Sequence, residues 1–177
     1  MTAPPRPVVG EFVDGIDIPV VNERAVRASA GMLFLLGIVG FMTAVLTDEF
    51  QLLRLFGMVF VIDMMIRLMI GTRFSPTLLL GTLAVRWQRP EWVGASQKTI
   101  AWSIGLGMAL LTCFAMGWLG LPPPLTLTLC GLCLGMLFLE AAFGICVVCE
   151  VQLRFGRSKP THCAGDRCDY VPPKRRG

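Results

Sequence analysis

The sequence predicts an all-α fold: a polytopic membrane protein built as a compact bundle of four transmembrane helices plus one short interfacial helix. Three observations carry that prediction. The chain is 54% apolar with a mean hydropathy of +0.66. Its charged residues, 16% of the chain, fall short of the roughly one quarter usual in a soluble domain. Those charges are also banded between long uncharged runs instead of being spread over a whole surface, so lipid is the expected solvent of the apolar runs.

Four runs reach spanning length, about 20 residues for a helix rising ~1.5 Å per residue. The first, Ala30 to Thr47, lies between Arg24 and Arg27 on one side and Asp48 and Glu49 on the other. The second, Phe50 to Gly71, is apolar apart from Arg54, Asp63 and Arg67. The third, Thr99 to Gly120, stops at Leu121 and the triple proline Pro122 to Pro124, which cannot continue a helix. The fourth, Leu125 to Val151, carries charge at Glu140 and Glu150 alone. A strand alternation of the barrel type is absent, and an isolated strand leaves its backbone unsatisfied in hydrocarbon, so helices are the expected spans. Between the second and third, Ser75 to Trp87 is apolar but too short to cross, and reads as the interfacial helix.

The domain plan is therefore a tail over residues 1–28, a membrane domain over 29–151 and a basic, cysteine-containing tail over 152–177. Orientation follows from the 16 Lys and Arg residues. Arg6, Arg24 and Arg27 precede the first span; Arg73, Arg86, Arg89 and Lys98 lie between the second and third. Arg154, Arg157, Lys159, Arg167, Lys174, Arg175 and Arg176 follow the fourth. The short turns after the first and third spans have none, which by the positive-inside rule places both termini in the cytoplasm of a cell inner membrane. The first twenty residues lack the pattern of a secretory signal, and the N-terminal tail is expected to persist. The net charge of +4 is accounted for by this orientation and calls for no nucleic-acid partner. Trp87, Trp92 and Trp102 fall near the inner edge and Trp118 near the outer one, as an aromatic belt would have them.

Small residues recur every fourth position in the third span (Gly105, Ala109, Cys113, Gly117), and Gly131, Gly135, Ala142, Cys146 and Cys149 share an arc of the fourth. Such stripes let helices approach closely in lipid. The triple-proline turn makes these two spans antiparallel neighbours.

The residues with chemical potential are seven cysteines and three intramembrane ionisable groups. Asp63 and Arg67 stand four apart on one helix face, the spacing of an internal ion pair. A charge near the bilayer centre costs about 2.5–3.5 kcal/mol on insertion scales, so such groups face a bundle interior or a wet cavity. Glu140 has no cation within a turn of its own helix; it is expected either to be protonated or, with Asp63 and Arg67, to form a polar path for a proton, ion or anion. Cys146 and Cys149, with Cys163 and Cys168 beyond them beside His162, the single histidine, suggest two chemistries. Basic Arg154, Arg157 and Lys159 favour reactive thiolates for redox or sulfur transfer with a cytoplasmic thioredoxin-like or sulfurtransferase-like partner. The same four thiolates with His162 would also suit zinc or iron. As small residues on their stripe, Cys146 and Cys149 are equally readable as packing. The outer pair, Cys130 and Cys133, opens the fourth span much as the redox pair of vitamin K epoxide reductases does. That likeness is confined to the motif, and packing within the helix is its simpler reading.

Several stretches together resemble a known set of bacterial membrane proteins, the domain of unknown function 4395. They are Pro19-Val20-Val21-Asn22-Glu23-Arg24-Ala25-Val26-Arg27-Ala28 and Arg73-Phe74-Ser75-Pro76. Further on come Pro90-Glu91-Trp92-Val93-Gly94-Ala95-Ser96-Gln97-Lys98 with Ala101-Trp102-Ser103-Ile104-Gly105, and Leu139-Glu140-Ala141-Ala142-Phe143-Gly144-Ile145-Cys146 with the later cysteines. The resemblance runs from about residue 18 to 169. It implies the same topology and places Glu140 and the inner cysteines within the family's pattern, and it implies no activity. Three expectations remain open: thiol or sulfur redox chemistry, a non-catalytic scaffold holding zinc or iron, and a small transporter using Asp63, Arg67 and Glu140.

Overall fold

The computed structural model describes residues 7–13, 16–117, 120 and 122–144. Its elements, in chain order, are β1 (Val20–Asn22), α1 (Glu23–Thr47), α2 (Gln51–Met65), α3 (Pro76–Ala84), β2 (Trp92–Gly94), α4 (Ala95–Gly117) and α5 (Pro123–Phe138). Two π-helical turns extend them: Ile66–Ile70 continues α2, and Leu139–Phe143 continues α5. The long helices form a four-membered ring, with α1 against α2 and α5, and α4 against the same two.

Among the described residues, three helices are long and apolar enough to cross a membrane: Glu23–Thr47, Ala95–Ala115 and Pro123–Phe143. The fourth expected span, α2 with its π turn, adds 5 residues to 15 and so has the length. Arg54, Asp63 and Arg67 set it apart, and of these Asp63 and Arg67 are turned inward and buried. The outside of the bundle is lined with large apolar side chains, among them Leu35 (65% exposed), Leu46, Met58, Met69 and Leu111, while charged groups fill part of the interior. A water-soluble fold has the opposite arrangement; contiguous apolar surface of this kind needs lipid to cover it.

α1 starts at Glu23, ahead of the apolar run that begins at Ala30, because a polar cap is available there. Asn22 Oδ1 accepts from the Arg24 amide (3.2 Å), satisfying one of the free N–H groups of the first turn. The helix closes on Asp48, which adopts the left-handed conformation at φ 56°. At 25 residues α1 is about 37 Å long, more than the ~30 Å hydrocarbon core requires.

Two strands were not expected. β1 and β2 pair antiparallel, Val20 with Gly94, Val21 with Val93 and Asn22 with Trp92. Glu11 joins by an isolated bridge to Val20. The pairing ties the lead-in to α1 to the lead-in to α4 and leaves Val20 fully buried. This defines a sheet end of the bundle, opposite the turn end where α1 meets α2.

α3 is the expected short helix, started by Ser75 as cap and Pro76 in its first turn. It lies against α1, and Gly81 makes that approach possible: a side chain there would meet the Ala25 carbonyl and Ser29. The small stripe of α4 faces α2, with Gly105 opposite Phe60 and Cys113 opposite Gly57. On α5, Gly131 faces Phe41 of α1 instead of α4.

Candidate functional site

Both π turns carry a charged interior residue, Arg67 in the first and Glu140 in the second. Each ends on a glycine with positive φ, Gly71 at 138° and Gly144 at 64°, backbone that a side chain would strain. The Gly71 amide bonds the Ile66 carbonyl at 2.8 Å, five residues back. Such wide turns hold one residue more than an α turn and are frequent at functional sites.

The expected Asp63–Arg67 pair is present and fully buried, with Arg67 Nε 2.8 Å from Asp63 Oδ2. Its partners come from elsewhere in the chain. The Asp63 carboxylate accepts from Ser75 Oγ (2.7 Å), Thr77 Oγ1 (2.7 Å) and the Thr77 amide (3.2 Å) as well as from Arg67. Arg67 also donates to Ser75 Oγ (3.1 Å), Thr77 Oγ1 (2.6 Å) and Ser29 Oγ (3.1 Å). Its guanidinium lies 5.0 Å from the Trp102 ring centroid. Trp102 is buried against that charge rather than placed in an interfacial belt, whereas Trp87 is 84% exposed; Trp118 lies outside the described residues. The cap of α3 thus serves twice, since Ser75 Oγ starts the helix and holds both members of the ion pair.

Glu140 does not lack a cation. Lys98, at the start of α4, donates to Glu140 Oε1 at 2.9 Å. The same ammonium sits 3.1 and 2.8 Å from the two carboxylate oxygens of Glu23. The three form a buried triad from α1, α4 and the second π turn, with Lys98 and Glu23 nearly inaccessible to solvent. Spacing on a single helix does not reveal it, because Lys98 is 42 residues from Glu140 and 75 from Glu23. A lysine and a glutamate at the two starts of long apolar helices were the available signal. Arg27 closes the same end, donating to the carbonyls of Ala141 (3.4 Å) and Ala142 (2.9 Å).

Arg67 and Glu140 both line one internal cavity of about 50 Å³, with Trp102, Met64, Met136 and Leu137. That volume holds a water molecule or two. Asp63, Arg67 and Glu140 are thus brought to one place. Cys113, Cys130 and Cys133 are free thiols in the turn-end half of α4 and α5, and they line a larger chamber of about 740 Å³ against α2. Among the described residues no group of three or more His, Cys, Asp or Glu is placed to hold a metal ion. Cys146, Cys149, His162, Cys163 and Cys168 lie outside the described residues.

No curated protein and no solved structure matches the chain. The sequence profile of the Domain of unknown function (DUF4395) matches residues 21–157, a stretch that contains both strands, all the helices and every residue of the two charged clusters. The chain belongs to the DUF4395 family.

Proposed function

We propose that this is a multi-pass protein of the cell inner membrane, with both termini cytoplasmic, that carries protons through its interior by way of Glu140. The observation that supports the reading is that two carboxylates, Glu23 and Glu140, share one ammonium, Lys98, beside a water-sized cavity. Asp63 and Arg67 cancel each other. The triad then holds one negative charge in excess, and a group buried from water takes up a proton to remove an uncompensated charge. The groups that face Glu140 are Lys98 on α4, Glu23 on α1 and Arg67 across the cavity, with Arg27 on the carbonyls just beyond it. One proton moving between Glu140 and Glu23 past Lys98 would shift that charge from the cavity toward the sheet end, where Glu91 adjoins Glu23 through its carbonyl (2.8 Å). Asp63 and Arg67, with every oxygen and most donors engaged, hold the helices in place and do not exchange.

Glu140→Gln tests this in proteoliposomes carrying a pH-sensitive dye and an imposed potassium diffusion potential. The amide keeps an oxygen for Lys98, so the variant should unfold at nearly the wild-type temperature and lose proton uptake. Unchanged uptake would remove the proposal.

A second reading is thiol or sulfur redox chemistry by Cys146, Cys149, Cys163 and Cys168, with a thioredoxin-like or sulfurtransferase-like partner, or ligation of zinc or iron by those residues and His162. The observation in its favour is the position of Gly144, two residues before Cys146, where the Arg27 guanidinium would lie 3.4–3.5 Å from an added Cβ. A cation at that point favours thiolate. Elemental analysis with thiol counting on purified protein separates these: stoichiometric zinc or iron supports ligation, metal-free reactive thiols support redox, and slow thiols without metal oppose both.

A further inference from the structure

The two cavities are arranged in series. The small chamber occupies the sheet-end half of the bundle and has Arg67 and Glu140 in its wall; the large one occupies the turn-end half, with Gln51, Arg54 and Thr112 among its polar lining. Phe60 and Cys133 belong to both. Phe60 is 4% exposed, and its ring is pressed toward α4 at Gly105, where an added Cβ would lie 3.6 Å away. The bare backbone of Gly105 therefore lets a phenylalanine on α2 reach the neighbouring helix. Cys133 approaches the same level from α5. Above this level thiols and apolar groups line a space large enough for many waters; below it lies room for one or two beside fixed charges.

We propose that the large chamber is the water-filled access route to the Glu140 site from the turn end, and that Phe60 and Cys133 form a hydrophobic constriction that keeps the two chambers apart. The occupant is water with the protons it carries. An apolar constriction between two wettable spaces blocks ions by shedding its own water and conducts when wetted. A polar mouth, a thiol and aromatic neck and a charged floor have that order here. The route rests on the proton-carrying reading for its purpose but not for its existence.

The three chamber cysteines report on it in the native chain. Purified protein in vesicles is exposed to a membrane-impermeant, positively charged methanethiosulfonate, and each labelled cysteine is mapped by mass spectrometry. Cys113 and Cys130, above the constriction, are expected to react readily, and Cys133 slowly. Phe60→Ala should raise the Cys133 rate toward that of Cys130, and the milder Phe60→Leu should raise it less while preserving the fold. If Cys113 and Cys130 react with uncharged N-ethylmaleimide alone, lipid fills the chamber and the proposal fails. It fails equally if Phe60→Ala and Phe60→Leu both leave Cys133 unchanged. The labelling pattern does not depend on transport, so a Glu140→Gln variant that keeps proton uptake would sink the assigned site and leave the route standing.

Discussion

Asp63 and Arg67 announce themselves in the sequence by spacing, and the structure adds what spacing leaves out. Ser29, Ser75, Thr77 and Trp102 come from three other elements, and no periodic pattern marks a serine as the future partner of an arginine 38 positions away. The network makes a definite prediction. Arg67→Met strands a buried carboxylate and should cost about 3–5 kcal/mol, the range for breaking a buried pair; unfolding in detergent measures it. Asp63→Leu with Arg67→Met should recover part of that loss but not all, because Ser29, Ser75 and Thr77 keep hydroxyls that lose partners. The triad predicts an asymmetry. Lys98→Met leaves Glu23 and Glu140 facing each other and should destabilise strongly, whereas Glu23→Gln leaves a neutral Lys98–Glu140 pair and should cost far less. Equal losses in the two variants would contradict the assigned charges.

The long helices were legible from their apolar runs, and the breaks between them from Asp48 and the triple proline. Helix starts were less legible, because a cap such as Asn22 is a polar residue among other polar residues. The strands escaped detection for a simpler reason: each is three residues long, too short to show an alternation. The π turns leave no periodic trace either, since one extra residue in a helix alters the apolar phase by no more than ordinary irregularity does. α3 depends on a close approach that a single substitution can test. Gly81→Val would drive a branched side chain into the Ala25 carbonyl and Ser29; overpacking of this kind costs about 1–3 kcal/mol. The displaced Ser29 would also release Arg67 Nη2, so the midpoint of thermal unfolding should fall further than in Gly107→Ala, where an added Cβ meets nothing within 4 Å.

At the scale of the whole molecule the amino-acid composition is turned inside out, with leucines and methionines outward and an arginine, a lysine and three carboxylates inward. Composition foretold the lipid, and the distribution of lysine and arginine predicts which end faces the cytoplasm. Reporter fusions check the latter: green fluorescence from a C-terminal fusion and silence from an exported phosphatase at the same point are expected, and the reverse pair would invert the assignment.

The interior charges are not spread along the bundle. Asp63, Arg67, Lys98, Glu23 and Glu140 are gathered toward the sheet end, and the opposite half is apolar apart from its rim. An electric field across the bilayer therefore falls mainly over the uncharged half. A charge brought to Glu140 from the far side would traverse most of that drop, and a full crossing is worth about 2.3 kcal/mol for every 100 mV. The polarity of the cell's resting voltage alone would then decide whether this carboxylate stands loaded or empty.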